Sequence, residues 1–210
     1  MLYKETVETT TLELLNSLQS KGYLEGFYLV GGTALALKIG HRRSVDLDLF
    51  SNFNFDVVQL LENLSADFNF NLFFSANNTI KGSIDDIKLD FLSHRYPLIA
   101  KPVVEEGIEM LSLQDIIAMK LNAISSSGQR VKDFIDIFYL LRKFSIEQMI
   151  GFYKEKYTQY NEVSVLKSLV YFDDIDFSDW PEIIDEPNLK WNTIKDELEK
   201  SVKKYLKYKL

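Results

Sequence analysis

The stretch that decides the fold is "YLVGGTALALKIGHRRSVDLDLF", residues 28–50. Its last part, "SVDLDLF", predicts a strand whose alternate apolar residues face the core: Val45, Leu47 and Leu49. Asp46 and Asp48 interrupt this apolar strand, although aspartate is among the residues that strands usually exclude. We therefore treat the two carboxylates as candidate functional groups.

Asp46 and Asp48 are predicted to form part of a metal site. Alternate residues of a strand face the same side, so these carboxylates project together from Cα atoms about 6.6 Å apart. A third carboxylate, Asp90, interrupts the apolar strand "IKLDFL", and all three converge if the two strands are neighbours. Mg²⁺ or Mn²⁺ takes carboxylate oxygens together with substrate phosphates, which suits nucleotidyl transfer. The alternative is chance, because the chain has 31 acidic residues.

A glycine pair, Gly31 and Gly32, lies shortly upstream, and Thr33 is expected to cap the short helix "ALALKI". Backbone N–H groups at a helix start bind phosphate, and glycine allows close approach of the backbone. The motif predicts a phosphate-binding turn, with a purely structural tight turn as the alternative. Arg43 is a further candidate for phosphate contact, whereas Arg42 is more typical of a surface turn.

Lys120 is unusual because it falls inside the apolar stripe of its predicted helix. Its ammonium group must either extend to solvent or meet an anion, for which a triphosphate is a candidate. On the next helix Asp133 lies at the edge of the buried face and ranks above Asp136 as a site residue. Asp136 is spaced i, i+4 from Lys132, as in an exposed ion pair.

The composition is that of an acidic globular protein. The 210 residues are 46% hydrophobic, contain no cysteine and carry a net charge of -7. This charge argues against broad, non-specific nucleic-acid binding. The lysines between Lys195 and Lys209 form either a local basic patch or a solvated helix face. No apolar run reaches membrane-spanning length and the N-terminus is not a signal peptide, so we expect a cytoplasmic protein with no membrane association.

The order of predicted elements indicates an α+β fold in two parts. Helices over Glu8–Leu18 and "DVVQLLENLSADF" accompany a small mixed sheet whose strands cover Phe27–Val30, "SVDLDLF", "FNLFFSAN" and "SIDDIKLDFLSH". After Pro97 and Pro102 the pattern becomes mainly helical. We predict an α/β core over residues 1–105 and a C-terminal helical bundle over residues 106–210.

Together these motifs resemble the AbiEii/AbiGii toxin family of nucleotidyltransferases, within the polymerase-β-like superfamily. "LVGGTALAL" followed by "HRRSVDLDLF" resembles the family's glycine turn and Asp-x-Asp strand. "IKLDFL" resembles its third-carboxylate strand. "SLQDIIAMKLNAI" and "RVKDFIDIFYLL" resemble its lysine-containing helix and its Lys-Asp-x-x-Asp helix. The resemblance covers nearly the whole chain.

The resemblance implies an NTP- and Mg²⁺-dependent nucleotidyltransferase that acts as a toxin, with a cognate antitoxin as its partner. The implied acceptor is RNA, at the 3′ end of tRNA; the alternatives are a protein hydroxyl or a non-catalytic nucleotide-binding module. The implied roles are phosphate binding by Gly31, Gly32 and Thr33, metal binding by Asp46 and Asp48, metal binding or proton acceptance by Asp90, triphosphate contact by Lys120, and completion of the downstream motif by Asp133 and Asp136. The spacer "ISSSGQRVKDF" departs from the family's more basic pattern, and leaves Arg130 as a candidate nucleotide contact beside Lys132.

Overall fold

The computed structural model describes residues 1–159 and 161–209, without the side chain of Lys209. These residues divide into two compact units. Unit 1 comprises Met1–Pro97 and Lys101–Leu111, and unit 2 comprises Leu98–Ala100 and the described residues from Ser112 onward. Each unit is described by itself below.

Unit 1 is built on a mixed sheet. Its strands are β1 Tyr28–Val30, β2 Leu47–Ser51, β3 Phe70–Ala76, β4 Thr79–Ile84, β5 Ile87–Ser93, β6 Val103–Glu105 and β7 Ile108–Met110. They lie in the order β3-β4-β5-β2-β1-β7-β6. The β2–β5 and β1–β7 pairs are parallel, and the remaining neighbours are antiparallel. The helices of this unit are α1 Thr9–Gln19, α2 Gly31–Ile39 and α3 Val57–Asp67, with short 3₁₀ turns at Lys4–Thr6 and Gly22–Leu24.

Alternation along the strands gives the sheet a buried face and a polar face. Residues directly opposite one another on neighbouring strands share a face. The buried face carries core residues that include Leu29, Leu47, Leu49, Leu89 and Phe91. On the polar face one line of register partners crosses five strands, β1, β2, β5, β4 and β3, and we call it the carboxylate row: Val30, Asp48, Asp90, Lys81 and Phe74.

Unit 2 is helical. Its helices are α4 Leu113–Ser126, α5 Val131–Leu140, α6 Ile146–Lys156, α7 Glu162–Ser168 and α8 Trp191–Lys209. Ser112 caps α4 by accepting a hydrogen bond from the Asp115 N–H, and Ser145 with Gln148 forms a capping box on α6. Such caps satisfy N–H groups that lack a partner in the first turn of a helix. The prediction of a mixed sheet followed by helices is confirmed.

A buried ion pair holds part of unit 2 together. Lys156 on α6 lies 2.7 Å from Asp115 on α4, and both side chains are completely buried. Asp115 also accepts hydrogen bonds from the Ser112 hydroxyl and from the backbone N–H groups of Ile99 and Ala100. Burial alone raises the pKa of Asp115, but the hydrogen bonds from Lys156, Ser112 and Ile99 outweigh it, so the pKa lies below its ordinary value. These bonds fix the segment 98–100 to α4.

The strands differ from the sequence prediction in three places. Val45 was expected in the core but is 51% exposed, because β2 begins only at Leu47. The single strand predicted over residues 83–94 is interrupted by a turn at Asp85 and Asp86, whose positive φ angles join β4 to β5. The hairpin of β6 and β7, for which no strand was predicted, belongs to unit 1.

Candidate active site

Two of the three predicted carboxylates lie directly opposite each other. Asp48 on β2 is the register partner of Asp90 on the parallel neighbour β5, so both side chains project from the polar face. Each is partly exposed. Asp46 stands one residue before β2 and is exposed. The structure therefore brings Asp48 and Asp90 together on adjacent strands and places Asp46 two residues before Asp48.

The start of α2 lies beside Asp48. Val30, the last residue of β1, is the register partner of Asp48, and Gly31 begins the helix with a φ of 69°. A Cβ at position 31 would lie 2.1 Å from Asp48 Oδ2, so only glycine allows this approach. The N-cap residue of α2 is Val30, whose apolar side chain cannot accept from the first N–H groups of the helix. The side chain of the N-cap residue therefore takes no part in this turn, which begins next to the Asp48 carboxylate.

Gly32 has a different neighbour, Arg42. A Cβ at position 32 would lie 2.5 Å from Arg42 Nη2, and the Arg42 side chain is almost completely buried. Its Nη1 donates to the backbone carbonyl of Arg43 at 3.0 Å. The expectation that Arg42 lies on a surface turn was wrong, since this cation packs against the helix start. Arg43, the predicted phosphate contact, is half-buried.

Thr33 has a structural task in this turn. The prediction that it caps α2 was wrong, because the helix begins two residues earlier, at Gly31. The Thr33 hydroxyl is buried, lies 2.8 Å from the Ser44 hydroxyl, and donates to the backbone carbonyl of Asp46. Thr33 therefore positions the segment that leads into β2. Any phosphate at this turn would meet its backbone rather than its hydroxyl.

Lys81 is a site residue that the sequence reasoning missed. It lies on β4 directly opposite Asp90, and its ammonium group forms a salt bridge with that carboxylate. A signal for this pair was available in the sequence. Once a two-residue turn is placed at Asp85 and Asp86, antiparallel pairing puts Lys81 opposite Asp90.

Unit 2 holds a separate cluster of charges. Lys120 Nζ lies 2.7 Å from Asp133 Oδ1 and 2.7 Å from Asp136 Oδ2. Arg130 approaches Asp133 Oδ2 with Nη2 at 2.8 Å and Nε at 2.9 Å. Lys120 was expected either to extend to solvent or to meet an anion. It meets two anions of the protein itself, the carboxylates of Asp133 and Asp136. Its predicted contact with a triphosphate stays a prediction, as does nucleotide contact by Arg130.

The predicted ion pair between Lys132 and Asp136 was wrong. Asp136 is completely buried, and Lys132 instead lies 2.6 Å from Asp179. The reason is that α5 is buried on almost every side, so its i, i+4 polar spacing does not mark a solvent face. Asp136 shares the Lys120 ammonium group with Asp133 and therefore belongs to the same charge cluster.

The carboxylates of unit 1 fit a divalent cation that substrate oxygens complete. Among residues 1–159 and 161–209, no group of three or more His, Cys, Asp or Glu residues is arranged to hold a metal ion. Mg²⁺, however, is commonly bound by one or two carboxylates together with substrate phosphates. Asp48 and Asp90 supply two such groups side by side. Since Lys81 already compensates the charge of Asp90, a cation would compete with that ammonium group.

The comparison with known sequences decides the family. The sequence model described as "Nucleotidyl transferase AbiEii toxin, Type IV TA system" matches residues 13–207. The chain belongs to the AbiEii family. The predicted resemblance is confirmed, and this AbiEii protein is a nucleotidyltransferase from a family of toxins that act with a cognate antitoxin. An uncharacterised protein of Aquifex aeolicus (strain VF5) is 32% identical over 200 residues, which cover 92% of this chain and 95% of that protein.

The solved structure of a nucleotidyltransferase toxin shows the same fold. MenT4, the nucleotidyltransferase toxin Rv2826c from Mycobacterium tuberculosis H37Rv, superimposes with a TM-score of 0.54 at 14% identity, over 93% of this chain and 84% of that one. JHP933 from Helicobacter pylori is matched over 97% of this chain and 100% of its own, with a TM-score of 0.46 and 16% identity. The MenT4 likeness supports a polymerase-β-like fold for the AbiEii protein. In the described part of the chain, no helix is long and apolar enough to cross a membrane.

Proposed function

We propose that this AbiEii protein transfers a nucleotidyl group from an NTP to RNA, at the 3′ end of tRNA, in a reaction that depends on Mg²⁺ or Mn²⁺. The observation that carries the proposal is the direct pairing of Asp48 with Asp90, beside a helix start whose Gly31 contacts Asp48. Two adjacent carboxylates and a phosphate-binding turn are the parts that nucleotidyl transfer needs.

The reaction has a simple atom balance. The oxygen of the acceptor hydroxyl forms a bond to the α-phosphorus, the bond from that phosphorus to the β-phosphate oxygen breaks, and pyrophosphate leaves. A bound divalent cation would neutralise the triphosphate and lower the pKa of the attacking hydroxyl. Asp46 and Asp48 would hold it, and Asp90 would share it or accept the hydroxyl proton. The N–H groups in the first turn of α2 and the guanidinium of Arg42 would bind phosphate oxygens.

Labelled nucleotides test this proposal. Each of the four α-³²P NTPs is incubated with the protein, Mg²⁺ or Mn²⁺, and separate pools of tRNA, other RNA and protein. The expected result is label on tRNA, lost at least 100-fold in Asp48→Asn and Asp90→Asn. Asp86→Asn is the matched control, because Asp86 is exposed in the turn of the same hairpin and Asn tolerates its positive φ.

Two results would contradict the proposal. Label on the protein pool alone would replace RNA with a protein hydroxyl as the acceptor. No label with any nucleotide would point to a binding module without catalysis. A growth assay adds a separate measure, since toxicity on expression should disappear with Asp48→Asn and remain with Asp86→Asn.

A further inference from the structure

We propose that the far end of the carboxylate row is a binding subsite for the acceptor strand, in which Phe74 stacks on a base and Lys81 binds a phosphate. The occupant is the single-stranded 3′ end of an RNA. This inference rests on the proposed nucleotidyl transfer and assigns two residues that the proposed reaction does not yet use.

Register places Phe74 in line with the carboxylates. Phe74 is the partner of Lys81, Lys81 is the partner of Asp90, and Asp90 is the partner of Asp48. All four side chains therefore share the polar face, with neighbouring strands about 4.8 Å apart. Phe74 thus stands two strand spacings, about 10 Å, from Asp90, with Lys81 between them.

A β-bulge is responsible for the position of Phe74. The register of β3 against β4 shifts between Leu72 and Phe74: Leu72 pairs with Gly82, and Phe74 pairs with Lys81. Without this shift, regular pairing would place Phe73 opposite Lys81 and Phe74 opposite Ile80, on the buried face. Bulges commonly redirect a side chain next to an active site. The result is an aromatic side chain, 52% exposed, at the edge of the sheet on the side of the carboxylates.

The charge at this end of the row suits a phosphate chain. Lys81 is 44% exposed at its side chain even though it contacts Asp90. Lys88 lies two residues before Asp90 on β5, so it projects from the same face, and it is exposed. Lys81 lies directly beside the exposed ring, and Lys88, opposite Ser83, adds a second positive charge on the same face of a chain whose net charge is -7. Phosphate contacts from lysine combined with base stacking on aromatic rings are the usual means of binding single strands.

The layout also gives the row a direction. The helix start of α2, the proposed triphosphate site, adjoins Asp48 at one end. Phe74 and Lys81 lie at the other end, beyond Asp90. An acceptor RNA bound there presents its terminal hydroxyl to Asp90. Asp90 then lies between the base stacked on Phe74 and the NTP at the start of α2. The row therefore separates the two substrates on either side of the carboxylate pair.

The test measures binding without turnover. The probe is a single-stranded 12-nucleotide RNA with a 5′ fluorescein and a 3′-terminal 2-aminopurine, and the titration is done in the absence of NTP. We expect Phe74→Ala to weaken binding about tenfold and to abolish quenching of the 2-aminopurine, as removal of one base stack does. Phe74→Trp should retain both signals. Leu72→Ala, on the same strand and the opposite face, is the matched control.

Lys81 has its own variants in this assay. Lys81→Met should weaken RNA binding about fivefold. It should also reduce the slope of log K against log salt concentration by about the value of one phosphate contact. Lys81→Arg should leave the RNA affinity and this slope unchanged. NTP affinity, measured by equilibrium dialysis, should be the same in Phe74→Ala as in the unaltered protein.

Several outcomes would overturn the subsite. They are no binding of the RNA probe by the unaltered protein, equal losses in Phe74→Ala and Leu72→Ala, or a loss of NTP affinity with RNA affinity intact. The two proposals fail separately. Transfer to RNA with unchanged probe binding in Phe74→Ala would refute the subsite alone, whereas probe binding that needs Phe74 in a protein that transfers no nucleotide would refute the proposed reaction alone.

Discussion

Asp48 and Gly31 are in such close contact that a Cβ on residue 31 would lie 2.1 Å from the Asp48 carboxylate oxygen. Gly31 also has a φ of 69°, in the left-handed region that disfavours residues other than Gly, Asn and Asp. The absence of a side chain at Gly31 therefore allows the candidate metal ligand Asp48 to contact the start of α2.

Gly31→Ala should for this reason reduce nucleotidyl transfer at least 100-fold, because the methyl group displaces Asp48 or the helix start. The cost to folding should be modest, about 1–3 kcal/mol in the free energy of unfolding. Steady-state kinetics and urea denaturation measure the two effects. Gly22→Ala is the control, because a Cβ at position 22 would have no atom within 4 Å. Equal activities in the two variants would show that the close approach of Gly31 to Asp48 is not needed for nucleotidyl transfer.

Lys81→Met should strengthen divalent-cation binding, because the Lys81 ammonium group competes for Asp90. We expect the affinity for Mn²⁺, measured by the EPR signal of the free ion, to rise about tenfold, the effect of removing a close like charge in a partly exposed site. Lys88→Met changes the net charge by the same amount, but Lys88 is the register partner of Ser83 rather than of Asp90. This variant should therefore raise the Mn²⁺ affinity less. Equal changes in both variants would indicate only a general effect of charge.

The carboxylate pair and the helices of unit 2 could be predicted from sequence because their signals are local. Aspartates inside two apolar strands identified Asp46, Asp48 and Asp90 as candidates, and the apolar pattern after Pro102 predicted the helices of unit 2. The positions of Arg42, Lys81 and Asp136 could not be predicted in the same way, because each depends on what the rest of the chain packs against it. Asp136 is an example. Its spacing from Lys132 predicts a solvent-exposed side chain, but α5 is buried and Asp136 contacts Lys120 instead.

Lys120→Met should destabilise unit 2, because it leaves Asp133 and Asp136 buried without their shared cation. Removing one partner of a buried ion pair typically costs about 3–5 kcal/mol. Lys132→Met is the matched control: its partner Asp179 is 66% exposed at the side chain, so the expected cost is about 0–1 kcal/mol. Urea denaturation gives both values. A loss below about 1 kcal/mol for Lys120→Met would mean that the two carboxylates are not buried as charges.

Acid should weaken the fold through Asp115. Its folded-state pKa lies below the ordinary value of 3.8, since the hydrogen bonds from Lys156, Ser112 and Ile99 outweigh the opposing effect of burial. A depressed carboxyl pKa stabilises the folded state fully above 3.8, and this contribution is lost as the pH falls below that value. Asp115→Asn, which removes the buried carboxylate that lies 2.7 Å from Lys156, should cost about 3–5 kcal/mol at pH 7.

The difference in unfolding free energy between the unaltered protein and Asp115→Asn should therefore be constant from pH 7 to about 5 and shrink below pH 4. Denaturation by urea across this range measures it, with Asp86→Asn as a control that should show a difference near zero at every pH because Asp86 is exposed. A difference that stays constant down to pH 2 would show that the Asp115 carboxyl has the same pKa in the folded and unfolded protein. The hydrogen bonds from Ile99 and Ala100 to Asp115 would then hold the segment 98–100 without a contribution from the Asp115 charge.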